Sequence, residues 1–113
     1  MISECKKKSD FEQLVADSHQ KPVFLFKHST RCPISASRWQ VIQDLAKKES
    51  RASFHRVLVI EDRSVSLYIA QETGVRHQSP QAILLHQGKP TWDASHYSIT
   101  VESMVAALER VLS

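Results

Sequence analysis

The sequence predicts an α/β fold in which helices flank a four-stranded mixed β-sheet. Two apolar runs rich in strand-forming residues, Pro22–His28 and Phe54–Ile60, are each followed by a segment with amphipathic helical periodicity. A third strand pattern, Gln81–His86, is instead followed by a fourth at about Pro90–Ala94, through a tight turn that contains Gly88. Because helical crossovers join parallel strands and tight turns join antiparallel ones, the sheet should be mixed.

Four helices complete this pattern within one predicted domain, residues 1–113. Ser9, with Glu12 three residues later, is the predicted N-cap of the first helix. Pro33 has no N–H to leave unpaired and therefore suits the first position of the second helix. Gly74 should end the third helix, and Thr100 should cap the fourth. The predicted helices lie at about Ser9–Ser18, for about four turns from Pro33, at Ser64–Thr73 and at Thr100–Leu112.

A single cysteine opens the second helix, in the stretch STRCPIS. Cys32 directly precedes Pro33, and Ser35 stands where a second cysteine would complete a C-x-x-C motif. Pro80 lies just before the third core strand. A cysteine at the start of the first crossover helix and a cis-proline before the third strand are landmarks of the thioredoxin fold. The order helix, then β-α-β-α-β-β-α, is therefore predicted to be thioredoxin-like, with a cis Ser79–Pro80 bond.

The position of Cys32 predicts a reactive thiolate. The thiolate, not the thiol, attacks disulfides, so a catalytic cysteine needs stabilisation of its negative charge. The helix N-terminus offers unpaired N–H groups and about half a positive charge. Arg31, Lys27 and His28 add positive potential in front of the helix. A merely structural cysteine is the alternative, but the polar loop around Cys32 disfavours it.

Ser35 and Cys5 determine how a mixed disulfide on Cys32 could be released. Ser35 lies one helical turn from Cys32, where its hydroxyl is expected to donate to the sulfur. A serine cannot close a disulfide, so release requires an external thiol or another cysteine. Cys5 is the only other cysteine and lies on an N-terminal tail that we expect to be mobile. It is a candidate resolving thiol, although an incidental thiol is the favoured interpretation.

The composition argues against several other classes of function. Apolar residues make up 42% of the chain and charged residues 24%, which is typical of a globular protein. The net charge of +3 is scattered, without the aromatic and basic interleaving of nucleic-acid-binding proteins. The six histidines lack the spacing of a metal site, so we expect no metal and no tightly bound cofactor. No apolar segment is long enough for a membrane span or signal peptide, which predicts a cytoplasmic protein that does not bind membranes.

Two stretches closely resemble a known family. KHSTRCPIS and IEDRSVSLYIAQETGVRHQSPQAILLHQGKPTWDASHYSIT are similar to the YtxJ-like proteins of the bacillithiol system, the monothiol bacilliredoxins of low-GC Gram-positive bacteria. The resemblance extends from about Lys21 to the last helix. Its TxCPIS, SPQ and SHxxIT motifs are specific.

The resemblance implies an oxidoreductase that removes bacillithiol from mixed disulfides on oxidised cytosolic proteins, with Cys32 as the attacking residue. Pro33, Ile34 and Ser35 match the family motif and, with Arg31, are expected to support the thiolate. Arg31 departs from the motif, because a small hydroxyl residue is expected at its position.

The same resemblance implies the partners. Bacillithiol would be a co-substrate, bacillithiolated proteins the clients, and a flavin disulfide reductase or another bacilliredoxin the regenerating partner. We expect Thr30, Ser79 and Pro80 to bind substrate, with the Ser79 backbone pairing with an extended segment. Lys27, Arg31 and Arg76 are candidates to meet the bacillithiol carboxylates.

Two alternatives from other classes remain at this stage. The chain could be a non-catalytic thioredoxin-like module that docks a stress-response partner, or a dithiol oxidoreductase in which Cys5 resolves the intermediate. The acidity of the Cys32 thiol separates the first alternative from an enzyme, and the role of Cys5 separates the second.

Overall fold

A mixed five-stranded sheet forms the centre of the protein, for which a computed structural model describes all residues, Met1–Ser113. The strands are β1 (Ile2–Glu4), β2 (Val23–His28), β3 (Ser53–Leu58), β4 (Gln81–His86) and β5 (Lys89–Ser95). Their spatial order is β1-β3-β2-β4-β5. The first three in this order are parallel, whereas β4 runs antiparallel to β2 and β5 runs antiparallel to β4.

Helices cover both faces of the sheet. They are α1 (Lys8–Asp17), α2 (Pro33–Lys48), α3 (Arg63–Thr73) and α4 (Val101–Leu112), with a short 3₁₀ helix, His96–Ser98, before α4. Apolar residues of α2 and α4 form a core with one face of the sheet, and those of α1 and α3 form a second core with the other face. The predicted thioredoxin-like α/β fold is thereby confirmed. None of the four helices has the combination of length and apolar character that crossing a membrane requires.

The N-terminal segment differs from the expectation of a mobile tail. It forms a fifth strand, β1, which pairs in parallel with β3 at the edge of the sheet. The Cys5 N–H donates to the Arg56 carbonyl at 2.7 Å, and the Arg56 guanidinium pairs with the Glu4 carboxylate at 2.9 Å. A strand of three residues is too short to show an alternating pattern, so the sequence predicted only four strands.

The first helix begins differently from the prediction. Its N-cap is Lys7, and Ser9 lies within the helix rather than before it. The Asp10 carboxylate accepts hydrogen bonds from the backbone N–H groups of Lys6 and Lys7, at 2.9 and 3.0 Å, and so pairs two donors at the start of the helix. The other predicted helix boundaries are confirmed, with Pro33 opening α2, Gly74 ending α3 at a φ of 72° and Thr100 capping α4.

Strand β2 lies at the middle of the sheet and is buried along its whole length, as its apolar sequence predicts. Its last two residues are nevertheless polar. Lys27 faces the α1 and α3 side with no exposed surface, and its Nζ lies 3.0 Å from His77 Nδ1. No carboxylate forms an ion pair with it. Burial lowers the pKa of Lys27 from 10.5 to about 8.

This burial predicts that Lys27→Met stabilises the protein at pH 7. The lowered pKa means that the folded state holds the lysine proton less tightly than the unfolded state does. The variant should therefore have a free energy of unfolding on the order of 2 kcal/mol higher at pH 7. Between pH 8 and 10.5 the wild type should recover this difference, since the folded state releases the lysine proton first and then no longer buries a charge. Urea denaturation at several pH values measures both effects.

Lys47→Met is the matched control, because Lys47 is an exposed lysine near the end of α2. It should change stability by less than about 0.5 kcal/mol at every pH. A Lys27→Met variant that is less stable than the wild type at pH 7 would contradict the account of Lys27 as a destabilising buried charge.

Candidate active site

Cys32 is partly exposed at the start of α2, as the sequence predicts. It is the N-cap residue, with extended backbone angles, and its carbonyl accepts the first helical hydrogen bond from the Ala36 N–H at 3.0 Å. The sulfur makes no hydrogen bond within the chain. Pro33 is exposed beside it and Ile34 is half-buried. A thiol is therefore presented to solvent at the positive end of a 16-residue helix.

Ser35 points away from this thiol. It has no exposed surface, and its Oγ accepts a hydrogen bond from the Ser29 N–H at 2.9 Å. The same oxygen lies 2.7 Å from His28 Nδ1. Because His28 Nδ1 is the only acceptor within hydrogen-bond distance of the Ser35 hydroxyl, we assign the hydroxyl proton to the bond with a neutral imidazole. The expected hydrogen bond from Ser35 to the Cys32 sulfur is therefore absent.

His28 is held in a stack on the α2 side of the sheet. The centre of its ring lies 5.5 Å from that of the Trp39 ring, and the Arg56 guanidinium lies 4.5 Å from the centre of the same Trp39 ring. Burial, followed by the charge of Arg56, lowers the pKa of His28, which favours the neutral imidazole that Ser35 needs as an acceptor. Ser35 and Trp39 are four residues apart in α2 and so share one helix face.

Sequence reasoning placed His28 only as a positive charge near the thiol. Its partners come from α2 and β3, and the sequence spacing shows neither contact. The signal that could have found it is the alternation of β2, which puts His28 on the same face as Phe24 and Phe26, toward α2.

The loop before Cys32 brings the other predicted site residues to the surface. Arg31 and Thr30 are both exposed. The Thr30 hydroxyl donates to the Glu61 carboxylate at 3.1 Å, a contact that links this loop to the segment after β3. Sequence reasoning missed Glu61, because nothing in its neighbourhood along the chain distinguishes it from other surface acids.

The Ser79–Pro80 bond is cis, as predicted. The Pro80 carbonyl accepts the His96 N–H at 3.0 Å, which ties this turn to the segment after β5. Neither backbone polar group of Ser79 has a hydrogen-bond partner within the chain. The Ser79 side-chain oxygen is also buried without a partner.

Two hydrogen bonds attach the segment between α3 and Pro80 to the sheet. Lys27 bonds to His77 at 3.0 Å, and Gln81 Nε2 donates to the Arg76 carbonyl at 2.9 Å. Lys27 was a candidate for direct contact with substrate carboxylates, but its lack of exposed surface rules out such contact in this conformation. Arg76, by contrast, is exposed.

Cys5 is remote from a resolving position in this structure. It is 2% exposed and belongs to the core on the α1 and α3 side. Burial, with the nearby charges of Asp10 and Asp62, raises the pKa of Cys5 to about 12. Strand β3 separates it from β2, which places it on the order of 10 Å from the strand that leads to Cys32. It is neither ionised nor accessible while β1 is docked.

We predict that Ser35→Ala weakens the protein, because the Ser29 N–H and His28 Nδ1 both lose their buried partner. The expected decrease in the free energy of unfolding is about 1–3 kcal/mol, measured by urea denaturation. Ser37→Ala is the matched control on the exposed face of the same helix turn, and it should cost less than about 0.5 kcal/mol. Equal effects of the two substitutions would mean that the Ser35 hydrogen bonds do not hold this region together.

Comparisons with known proteins agree with this geometry. Residues 3–104 match the family model of the monothiol bacilliredoxin BrxC. A solved structure described as a proposed oxidoreductase with a thioredoxin fold is 32% identical, with a TM-score of 0.86 over 94% of this chain and 92% of that one.

More distant structures share the fold alone. Thioredoxin from Malassezia sympodialis is 19% identical, with a TM-score of 0.77 over 97% of this chain and 90% of that one. Spinach chloroplast thioredoxin f, in its short form, is 18% identical, with a TM-score of 0.77 over 99% and 94%.

The matches and the site together indicate a redox protein that exchanges thiols and disulfides. The partly exposed Cys32 at a helix start, the cis-proline turn and the serine in place of a second cysteine all fall within the matched residues. This chain belongs to the monothiol bacilliredoxin family.

Proposed function

We propose that the protein removes bacillithiol from mixed disulfides on oxidised cytoplasmic proteins, using Cys32 as its only redox-active thiol. The observation that carries the proposal is the pairing of one accessible cysteine with a buried serine at the position of the second. Cys32 can accept a mixed disulfide, and nothing within reach on its helix can resolve it.

The exchange has two balanced steps. The Cys32 thiolate attacks the bacillithiol sulfur of the client's mixed disulfide, the client leaves as a thiolate, and Cys32 becomes bacillithiolated. The thiolate of a free bacillithiol then attacks the bound bacillithiol sulfur. Bacillithiol disulfide leaves, and the Cys32 thiolate is restored. A flavin disulfide reductase or another bacilliredoxin would reduce the disulfide that is released.

The surface around Cys32 supports docking of a client segment. The free backbone groups of Ser79 offer one donor and one acceptor to an extended client segment. Thr30 and Arg31 directly precede Cys32 and are exposed, and Arg31 offers a charged donor to carboxylates. Pro80 fixes the turn that presents Ser79.

The burial of Cys5 disfavours the dithiol alternative. A resolving cysteine must approach the disulfide as a thiolate, whereas Cys5 is protonated and enclosed by the α1 and α3 core. Its participation would require β1 to detach from β3.

Replacement of each cysteine tests the proposal. Cys32→Ser should abolish the removal of bacillithiol from a client protein, because no other accessible thiol remains. Cys5→Ala should leave most of the activity when free bacillithiol is supplied, since it removes only a buried thiol. Release of the client thiol, followed by mass spectrometry with free bacillithiol present, measures both.

One result for the Cys5 variant would contradict the proposal. If Cys5→Ala stopped turnover while bacillithiolated Cys32 accumulated, Cys5 would be the resolving residue and the single-thiol cycle would be wrong. Thermal denaturation of Cys5→Ala establishes that the variant remains folded, so that a loss of core packing is not mistaken for a loss of chemistry.

A further inference from the structure

Lys27, which is buried, and His77, which is half-buried, form a basic pair beneath the loop that ends at Pro80. Lys27 has no exposed surface, and its Nζ lies 3.0 Å from His77 Nδ1. The Ser66 hydroxyl of α3 lies 3.4 Å from the same histidine nitrogen. Lys27 is the second-to-last residue of β2 and precedes Cys32 by five residues, so it lies near the carboxyl end of the strand that leads to the thiol.

The pair carries one positive charge at neutral pH. His77 Nδ1 can accept a hydrogen bond from the lysine only when it bears no hydrogen, which requires a neutral imidazole. Burial and the charges of Lys27 and Arg63 lower the pKa of His77 in agreement with this assignment. The pKa of Lys27, about 8, leaves most of the ammonium protonated at pH 7.

No neighbouring group cancels this charge. The polar or titratable side chains around the pair are Ser66 and Arg63 of α3, the uncharged Gln81 of β4, and Cys5 after β1 with Asp10 and Asp62 beside that thiol. Arg63 adds a second positive charge, and Cys5 is neutral. The ion pairs of the chain all involve arginines elsewhere.

The cost of this arrangement argues against a structural role. A buried charge without an opposite charge beside it reduces stability. A titratable group whose pKa is strongly shifted near a reactive residue is typical of a functional site. A charge in the low-dielectric interior is also screened less by salt than a charge on the surface, so its potential extends further. The accessible thiol that follows β2 is Cys32, at the start of α2.

We propose that the Lys27–His77 pair makes Cys32 react preferentially with anionic reagents, so that the protein selects thiols and disulfides that bear carboxylates over neutral ones. Lys27 is then a specificity-determining residue that acts through its charge rather than by contact. The inference rests on the proposed role of Cys32 as the nucleophile. It adds the chemical class of small-molecule thiol that the site favours.

Two alkylating reagents, one neutral and one anionic, test the proposal. Iodoacetamide is neutral and iodoacetate is anionic, and the Cys32 thiolate displaces iodide from either one to form a thioether. Their rate ratio cancels the ionisation of Cys32, since both reagents need the same thiolate. The ratio therefore reports the potential at the sulfur. Mass spectrometry assigns the adduct to Cys32, and rates are measured from pH 7 to 9.5.

In the wild type, the ratio of iodoacetate to iodoacetamide rates should fall as Lys27 loses its proton near pH 8. Lys27→Met should lower the ratio about two- to fivefold at pH 7, and the step near pH 8 should disappear. Lys47→Met, which removes an exposed lysine at the far end of α2, should behave as the wild type.

A Lys27→Met ratio equal to that of the wild type, or a step near pH 8 that persists in this variant, would overturn the proposal. The outcome is separable from that of the proposed function. If Cys32 failed to remove bacillithiol from clients but the ratio still depended on Lys27, the charge selection would stand and the substrate assignment would fall. If bacillithiol removal succeeded while the rate ratio did not depend on Lys27, the substrate assignment would stand and the charge selection would fall.

Discussion

The hydrogen bonds of the Ser35 hydroxyl are the constraint on which the site depends. This one oxygen joins the end of β2, the loop before Cys32 and the first turn of α2, through His28 and the Ser29 N–H. A cysteine at this position would offer a weaker acceptor and would not hold the loop in this way. The serine is thus a structural part of the site, and it cannot form a disulfide with Cys32.

Two buried polar groups on successive residues of β2 serve opposite sides of the sheet. His28 faces α2 and is kept neutral among aromatic rings, whereas Lys27 faces α3 and keeps its charge at neutral pH. The alternation of a strand makes this division possible, because adjacent residues point to different layers. The end of β2 therefore holds the loop before Cys32 through His28 on one face of the sheet, and buries the Lys27 charge on the other face.

Much of the fold followed from local patterns. The helix that starts at Pro33, the Gly74 helix end and the hairpin around Gly88 each depend on residues that lie next to one another in the chain. The errors in the fold lie near the N-terminus. Strand β1 has only three residues, and α1 begins after Lys7, where the Asp10 carboxylate rather than Ser9 pairs with backbone N–H groups.

The site was predicted less completely than the fold, because its side-chain partners lie on different elements and meet only when these pack. The position of Cys32 and the cis bond before Pro80 could be predicted, because both are landmarks along the sequence. The true partner of Ser35 could not, since His28 meets it only after β2 and α2 have packed. The run PVFLFKH likewise gives no sign that its lysine would be buried with His77, fifty residues later.

The central claim is that one thiol performs the exchange, and the intact mass of the protein after a single turnover tests it most directly. The wild-type protein is mixed with a bacillithiolated client in the absence of free bacillithiol. The account predicts a mass increase of one bacillithiol, located on Cys32, with Cys5 still a free thiol. A loss of two hydrogens instead, from a disulfide between Cys5 and Cys32 with bacillithiol released, would contradict it.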